Sequence, residues 1–198
     1  MTVLVLDCDG VVVTGHASGG RWDKHLARDL GLDPDALQER FFKPHWRAIM
    51  LGEADMRTVL DKVWPSLGCA QSPRGFVDYW FANDARIDAE VLAEVAAWRA
   101  AGGHAVLATV QEHHRARHLW DGLALSRHFD AIHYSAALGA AKPDAAFYER
   151  VQARLPASRP QDLIFLDDAP RNVEAANAFG WRASLFTGVA DLRAALRS

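Results

Sequence analysis

Asp7-Cys8-Asp9-Gly10-Val11 places two carboxylates two residues apart, directly after the apolar run Val3 to Leu6. On an extended chain that spacing puts both acids on one side and Cys8 on the other, facing the core. Two acids beside a buried strand repel each other unless something positive binds them, and a hard cation such as Mg²⁺ takes oxygen ligands. Gly10 lets the backbone turn sharply and approach a ligand closely. Three further signals follow in order: Thr109, Lys142-Pro143 and Asp167-Asp168. A threonine where a strand gives way to a helix can hold a phosphate oxygen together with free helix amides. Proline biases Lys142 to an extended conformation and starts the next helix, which aims the ammonium back towards the strand ends. Asp167-Asp168 again follows an apolar run, and Lys142 is its obvious cationic partner. Taken singly, each signal also has an ordinary reading: a solvated acidic turn, a helix cap, a surface lysine.

Positioning these residues requires a parallel sheet. Val3 to Leu6, His104 to Val110, Ala131 to Ser135, Leu163 to Leu166 and Arg182 to Phe186 are short apolar runs that read as strands. Helical patterns separate them, over Asp88 to Ala101, Glu112 to Ala124, Pro143 to Leu155 and Pro170 to Phe179, with Gly102 and Gly180 where helix-ending glycines belong. The expected fold is α/β: a Rossmann-like parallel sheet with helices on both faces. Ligands of such sheets bind at the carboxyl ends of the strands, where all four signals lie. Residues 15–84 break the alternation. Their apolar residues, from Leu26 and Leu30 through Trp46 and Met50 to Phe76 and Trp80, recur at helical spacing, and Asp33-Pro34 looks like a helix cap. The expected division is an α/β core of residues 1–14 and 85–198 carrying an all-helical cap of residues 15–84.

At 198 residues, half of them apolar, the chain can bury one sizeable core plus a small subdomain. A net charge of −3 without a basic block argues against nucleic-acid and anionic-membrane surfaces. Cys8 and Cys69 make no disulfide framework, no apolar run reaches membrane-spanning length, and the first residues lack the pattern of a signal peptide. A cytoplasmic location is expected.

The ordered set Asp-x-Asp-Gly-Val, Thr, Lys-Pro and Leu-Asp-Asp resembles the haloacid dehalogenase superfamily over nearly the whole chain, the helical insertion resembling that family's small cap. Receiver domains of response regulators use similar residues but place the lysine last, whereas here an acid pair follows it. The resemblance implies Asp7 as nucleophile and Asp9 as general acid and base. It implies Mg²⁺ held by Asp7, the Asp9 carbonyl and Asp168, with Asp167 acting through a water, and Thr109 and Lys142 gripping the phosphoryl group. Dehalogenases of the superfamily lack an acid at the position of Asp9, which disfavours C–Cl hydrolysis here. The implied activity is a Mg²⁺-dependent phosphatase acting on a small phosphorylated metabolite, with a sugar phosphate preferred. A phosphoglucomutase-like transferase shares these motifs; the other alternative, a non-catalytic descendant that binds a phosphorylated ligand or a protein, is disfavoured by the intact Asp7, Asp9, Thr109, Lys142 and Asp168. Many relatives carry Asn directly after the motif threonine, where this chain has Val110.

Within the cap, His45, Trp46 and Arg47 are the candidate substrate-facing residues, Arg47 meeting a second anionic group. Lys24, Lys43 and Lys62 leave a phosphonate-cleaving Schiff base open, although surface lysines read more simply. Trp22, Trp46, Trp64 and Trp80 are expected to pack the cap core. His114 and His118 stand four apart on one predicted helix, a zinc spacing without a third ligand nearby, and His113 and His128 read as part of the same solvated face.

Overall fold

The computed structural model describes residues 2–16, 18–156 and 159–197. Five strands form one parallel sheet: β1 (Val3–Leu6), β2 (His104–Thr109), β3 (Ala131–Tyr134), β4 (Leu163–Asp167) and β5 (Arg182–Leu185). Their order is β3-β2-β1-β4-β5, with Val5 registered against Val106 on one side and Phe165 on the other. The order reverses at β1, so the crevice beyond its carboxyl end is where this topology binds ligands.

Every residue of β1 is buried, as befits a central strand covered on both faces. Leu4, Leu6, Leu107 and Leu166 face one layer, packed by Val91 and Val95 of α6 (Ala89–Ala100) and Leu192 of α11 (Val189–Arg197). Val3, Val5, Val106 and Phe165 face the other, packed by Phe147, Tyr148 and Val151 of α9 (Ala145–Gln152) and Ala176 of α10 (Pro170–Phe179). Period-two alternation along each strand thus feeds two cores.

Between β1 and α6 lie α1 (Leu26–Leu30), α2 (Pro34–Leu37), α3 (Lys43–Met50), α4 (Met56–Leu67) and α5 (Pro73–Asn83), with a π-helical turn at Gln38–Phe42. They bury a core of their own around Leu37, Phe41, Leu60, Phe76 and Trp80. Asp33 caps α2 through the Asp35 amide, and Asp55 caps α4 through the Thr58 amide. The four expected tryptophans belong to this cluster, Trp22 stacking on Trp80 at 4.9 Å. Where the chain leaves and re-enters the sheet region its two connections pair with each other: Thr14 N donates to Arg86 O, Arg86 N to Gly15 O and Asp88 N to Val12 O. No described helix is long and apolar enough to cross a membrane.

Three local expectations change. The helix expected over Glu112 to Ala124 is divided into α7 (His113–Arg117), a π turn at His118–Gly122 and a 3-10 turn at Leu125–Arg127, separated by Ala124 in the left-handed region. A short helix, α8 (Ser135–Leu138), follows β3. Pro143 does not start α9; its peptide bond with Lys142 is cis, and α9 begins at Ala145 with Asp144 as the N-cap residue.

Candidate active site

The chain does not run extended through the first motif. A turn begins at Cys8, whose carbonyl accepts from the amides of Val12 and Val13, each at 2.8 Å. The turn still brings Asp7 and Asp9 to one cavity, with Cys8 fully buried in the core as expected. Gly10 has φ +81°, and a Cβ there would lie 2.1 Å from Asp168 Oδ2, so only glycine lets the two motif loops meet this closely.

The cavity, about 320 Å³, is lined by Asp7, Asp9, Gly10, Thr109, Val110, Lys142, Asp168, Arg171 and Asn172. Of the residues singled out from sequence, Asp7, Asp9, Thr109, Lys142 and Asp168 therefore come together at the topological switch point. Lys142 is buried and its Nζ stands 2.9 Å from Asp7 Oδ2 and 2.5 Å from Asp167 Oδ2. The two carboxylates raise the lysine pKa against burial, which alone would lower it. Burial pushes Asp7 up to about 7, opposed by Lys142 and reinforced by Asp167. Burial and Asp167 likewise push Asp168 above its ordinary value.

Asp167 is fully buried and does not line the cavity. Besides Lys142, it accepts from Asn172 Nδ2 at 3.0 Å and from the Ala169 amide at 2.9 Å. These bonds make it the anchor of Lys142, the cationic partner the sequence offered the acid pair. Asp7, Asp167 and Asp168 nonetheless bring one carboxylate oxygen each within 4.8 Å of one another, a spacing that fits a hard cation.

A second cavity, about 400 Å³, adjoins the first and shares Asp9 and Gly10 with it. Its remaining lining is Val13, Thr14, Gly15, Gly20, Arg21, Trp22 and Asp84, which lie in and beside the two connections. His45, Trp46 and Arg47 line neither cavity. Trp46 is packed among Phe42 and Trp80, and Arg47 is exposed on α3. Helical periodicity located the cap helices but not the face they turn to the site.

Sequence reasoning also missed Gln111 and Arg115. Gln111 is buried, its backbone held by Ser135 Oγ, and its Nε2 donates to Asp9 Oδ2 at 2.6 Å. Arg115 is 2 % exposed; its Nη2 lies 3.2 Å from Asp84 Oδ2 and 4.0 Å from Asp9 Oδ1. The only advance signal was an arginine one turn into a helix that starts beside the site. Among the described residues His114 and His118 belong to no group of metal-ligating side chains: His114 Nε2 lies 2.7 Å from Asp55 Oδ2, and His118 packs on Phe81. His113 is exposed, as expected, with its Nδ1 3.3 Å from Tyr134 Oη.

Comparison with known proteins agrees with this geometry. A family model described as haloacid dehalogenase-like hydrolase matches residues 1–180. The enzyme bt-2542 of this family from Bacteroides thetaiotaomicron, solved as a magnesium complex, superposes with a TM-score of 0.82 at 16% identity, over 100% of this chain and 99% of that one. It has also been solved with magnesium and inorganic phosphate, where the TM-score is 0.77. A HAD-like hydrolase from Porphyromonas gingivalis gives 0.78 at 18% identity, over 100% and 98%. The hydrolase YfnB from Bacillus subtilis, bound to magnesium and described as revealing interdomain movement, gives 0.68 at 12% identity, over 100% and 99%. A comparison with curated protein sequences finds no match. With the family model spanning nine-tenths of the sequence and the motif residues gathered at one crevice, the chain belongs to the haloacid dehalogenase-like hydrolases.

Proposed function

We propose that this hydrolase is a Mg²⁺-dependent phosphomonoesterase acting on a small phosphorylated metabolite through an aspartyl-phosphate on Asp7. The observation that carries the reading is the cavity itself, where the Asp7 carboxylate, the Lys142 ammonium, Thr109 and Asp168 face one space at the sheet's switch point. The donor set fits the metal, since Asp7 and Asp168 offer carboxylate oxygens within coordinating reach of one another and Asp9 precedes Gly10, whose backbone abuts the Asp168 carboxylate. When bound there, Mg²⁺ supplies positive charge that offsets the acids and the phosphate oxygens.

The chain's own residues account for the rest. An Asp7 oxygen attacks phosphorus; the P–O ester bond breaks, its electron pair leaves on the ester oxygen, and Asp9 protonates that oxygen. Asp9 then takes a proton from water as the water oxygen attacks phosphorus, breaking the bond to Asp7 and releasing inorganic phosphate. Lys142 balances charge on the transferring oxygens, and the Thr109 hydroxyl orients them. A halide leaves without a proton, so an acid poised beside the nucleophile suits an alkoxide leaving group. The second cavity is the place for that alcohol, with Trp22 offering an aromatic wall, Asp84 an acceptor and Arg21 a donor. That polar, ring-walled space suits a sugar phosphate. The helical layer of residues 15–84 acts as the lid, with the paired connections at 12–15 and 86–88 as its hinge.

The deciding assay is phosphate release from a panel of small phosphorylated metabolites, with Mg²⁺ and with chelator. Metal-dependent release that disappears in Asp7→Asn supports the reading. No release by the folded natural protein from any substrate refutes it.

A further inference from the structure

Among the described residues Asp9 and Gly10 alone border both cavities, and the Asp9 side chain is half exposed. A carboxylate standing free in such a place samples several rotamers, whereas protonating the ester oxygen requires one position, between the phosphoryl group and its alcohol. Two buried donors reach it from α7 and the loop before it. The Gln111 amide holds Oδ2 at 2.6 Å, and the Arg115 guanidinium faces Oδ1 at 4.0 Å. Neither donor is free to wander. Gln111 is locked through its backbone to Ser135 Oγ, and the Ala136 amide donates to its carbonyl. Glu112 caps α7 by accepting from the amides of His114 and Arg115.

Arg115 also reaches the other way. Its Nη2 donates to the Asp84 carbonyl and pairs with the Asp84 carboxylate, and its guanidinium carbon lies 5.3 Å from the Phe81 ring centroid. Phe81 lies on α5, and Asp84 directly follows that helix at the return to the sheet. A buried arginine is costly unless its charge is paired, and here both carboxylate neighbours belong to the site: the candidate acid and the lining of the adjoining cavity. Nη1 has no hydrogen-bond partner among the described residues, so packing stability alone does not explain why an arginine rather than an apolar side chain occupies this place.

We infer that Gln111 and Arg115 are positioning residues that hold Asp9 at the border of the two cavities, and that Arg115 ties this placement to the lid through Asp84. The inference rests on the phosphatase reading above, in which Asp9 protonates the leaving oxygen. A proton matters little to a leaving group that is stable as an anion and much to a basic one. Misplacing Asp9 must therefore discriminate between substrates by leaving-group basicity, which simple loss of folded protein does not.

The test compares kcat/KM, which reports events up to phosphorylation of Asp7, for para-nitrophenyl phosphate and for phenyl phosphate. Gln111→Met keeps the volume and deletes the amide; Arg115→Lys keeps the buried charge and shortens its reach, so that an informative variant remains if one does not fold. Each is expected to lose roughly 10²-fold on phenyl phosphate, towards the low end of what general acid catalysis contributes, and less than about threefold on para-nitrophenyl phosphate. Asp9→Asn should show the same bias, more strongly. Equal losses on both substrates in the two variants, or no loss on either, overturn the inference and leave the phosphatase reading standing. Failure of the natural protein to hydrolyse either ester, in a preparation that also releases no phosphate from the metabolite panel, overturns both.

Discussion

Lys142→Met in the metal-free protein tests the electrostatics of the site directly. The ammonium side chain is 1% exposed and holds two carboxylates, Asp7 at 2.9 Å and Asp167 at 2.5 Å, whose side chains are 11% and 0% exposed. Methionine fills the stem volume, so the change removes charge with little cavity formation. Removing one partner of a buried ion pair costs about 3–5 kcal/mol, because the other is left as an uncompensated buried charge. With a urea dependence of about 2 kcal/mol per M, the unfolding midpoint should fall by about 1.5–2.5 M. The pH dependence has a definite sign. The folded pKa of Asp7 is raised above its unfolded value of 3.8 to about 7, so its contribution is fully present below the unfolded value and is lost as pH rises through about 7. Lys142 opposes that loss, and the variant's deficit should be larger at about pH 8 than at about pH 5. Mg²⁺ should restore part of it, by giving the acids a new counter-charge in the folded state alone. Urea unfolding with chelator at the two pH values, then with Mg²⁺, is the assay. A midpoint shift below about 0.5 M, or a deficit that does not grow with pH, would refute the view that Lys142 neutralises the two buried acids.

Other substitutions probe separate parts of the molecule. Gly10→Ala would place a methyl group 2.1 Å from Asp168 Oδ2 at φ +81°, so besides about 1–2 kcal/mol of backbone strain it should weaken Mg²⁺ binding, measured by calorimetric titration. Asp55→Ala removes both the cap of α4 and the bond from the lid to His114, and should cost about 1–2 kcal/mol in urea unfolding. Burial tends to raise Asp55, but the Thr58 amide and hydroxyl and His114 carry it down to about 2; its contribution is present above the unfolded value and lost as pH falls through about 2, so the variant should show a flatter acid limb. Val110→Asn adds amide donors to the wall of the first cavity, and should tighten inhibition by inorganic phosphate by about 3–10-fold, the range expected for one net hydrogen bond.

The two acid pairs show how far the sequence reached and where it stopped. Asp7-x-Asp9 and Asp167-Asp168 look alike as letters, and their place after apolar strands was enough to predict a shared crevice. The central strands β1, β2 and β4 were legible because strands buried on both faces need continuous apolar runs, and the insertion was legible as helices because its apolar residues recur at helical spacing. The fold then separates the members of each pair. Asp7 and Asp167 end up buried on either side of Lys142, whereas Asp9 and Asp168 stay exposed to the cavity. That division depends on partners far away along the chain: Lys142 lies 25 residues before Asp167, and Gln111 lies 102 residues after Asp9. A single polar contact across such a distance leaves no periodicity, cap or turn in the sequence. The same holds for the helical insertion, where Trp46 was singled out as a pocket residue and Trp22 was expected only to pack the core. Trp46 was drawn inward by Phe42 and Trp80, while Trp22, stacked on Trp80, also borders the cavity beside Asp84. Asp84, Arg115 and Asp9 therefore form a line that only the folded chain draws, from the end of the helical insertion to the residue proposed as the proton donor. If the helical layer opens as proposed and Arg115 does not move with it, a charged guanidinium faces one carboxylate fewer, and that cost is what would couple lid position to acid position.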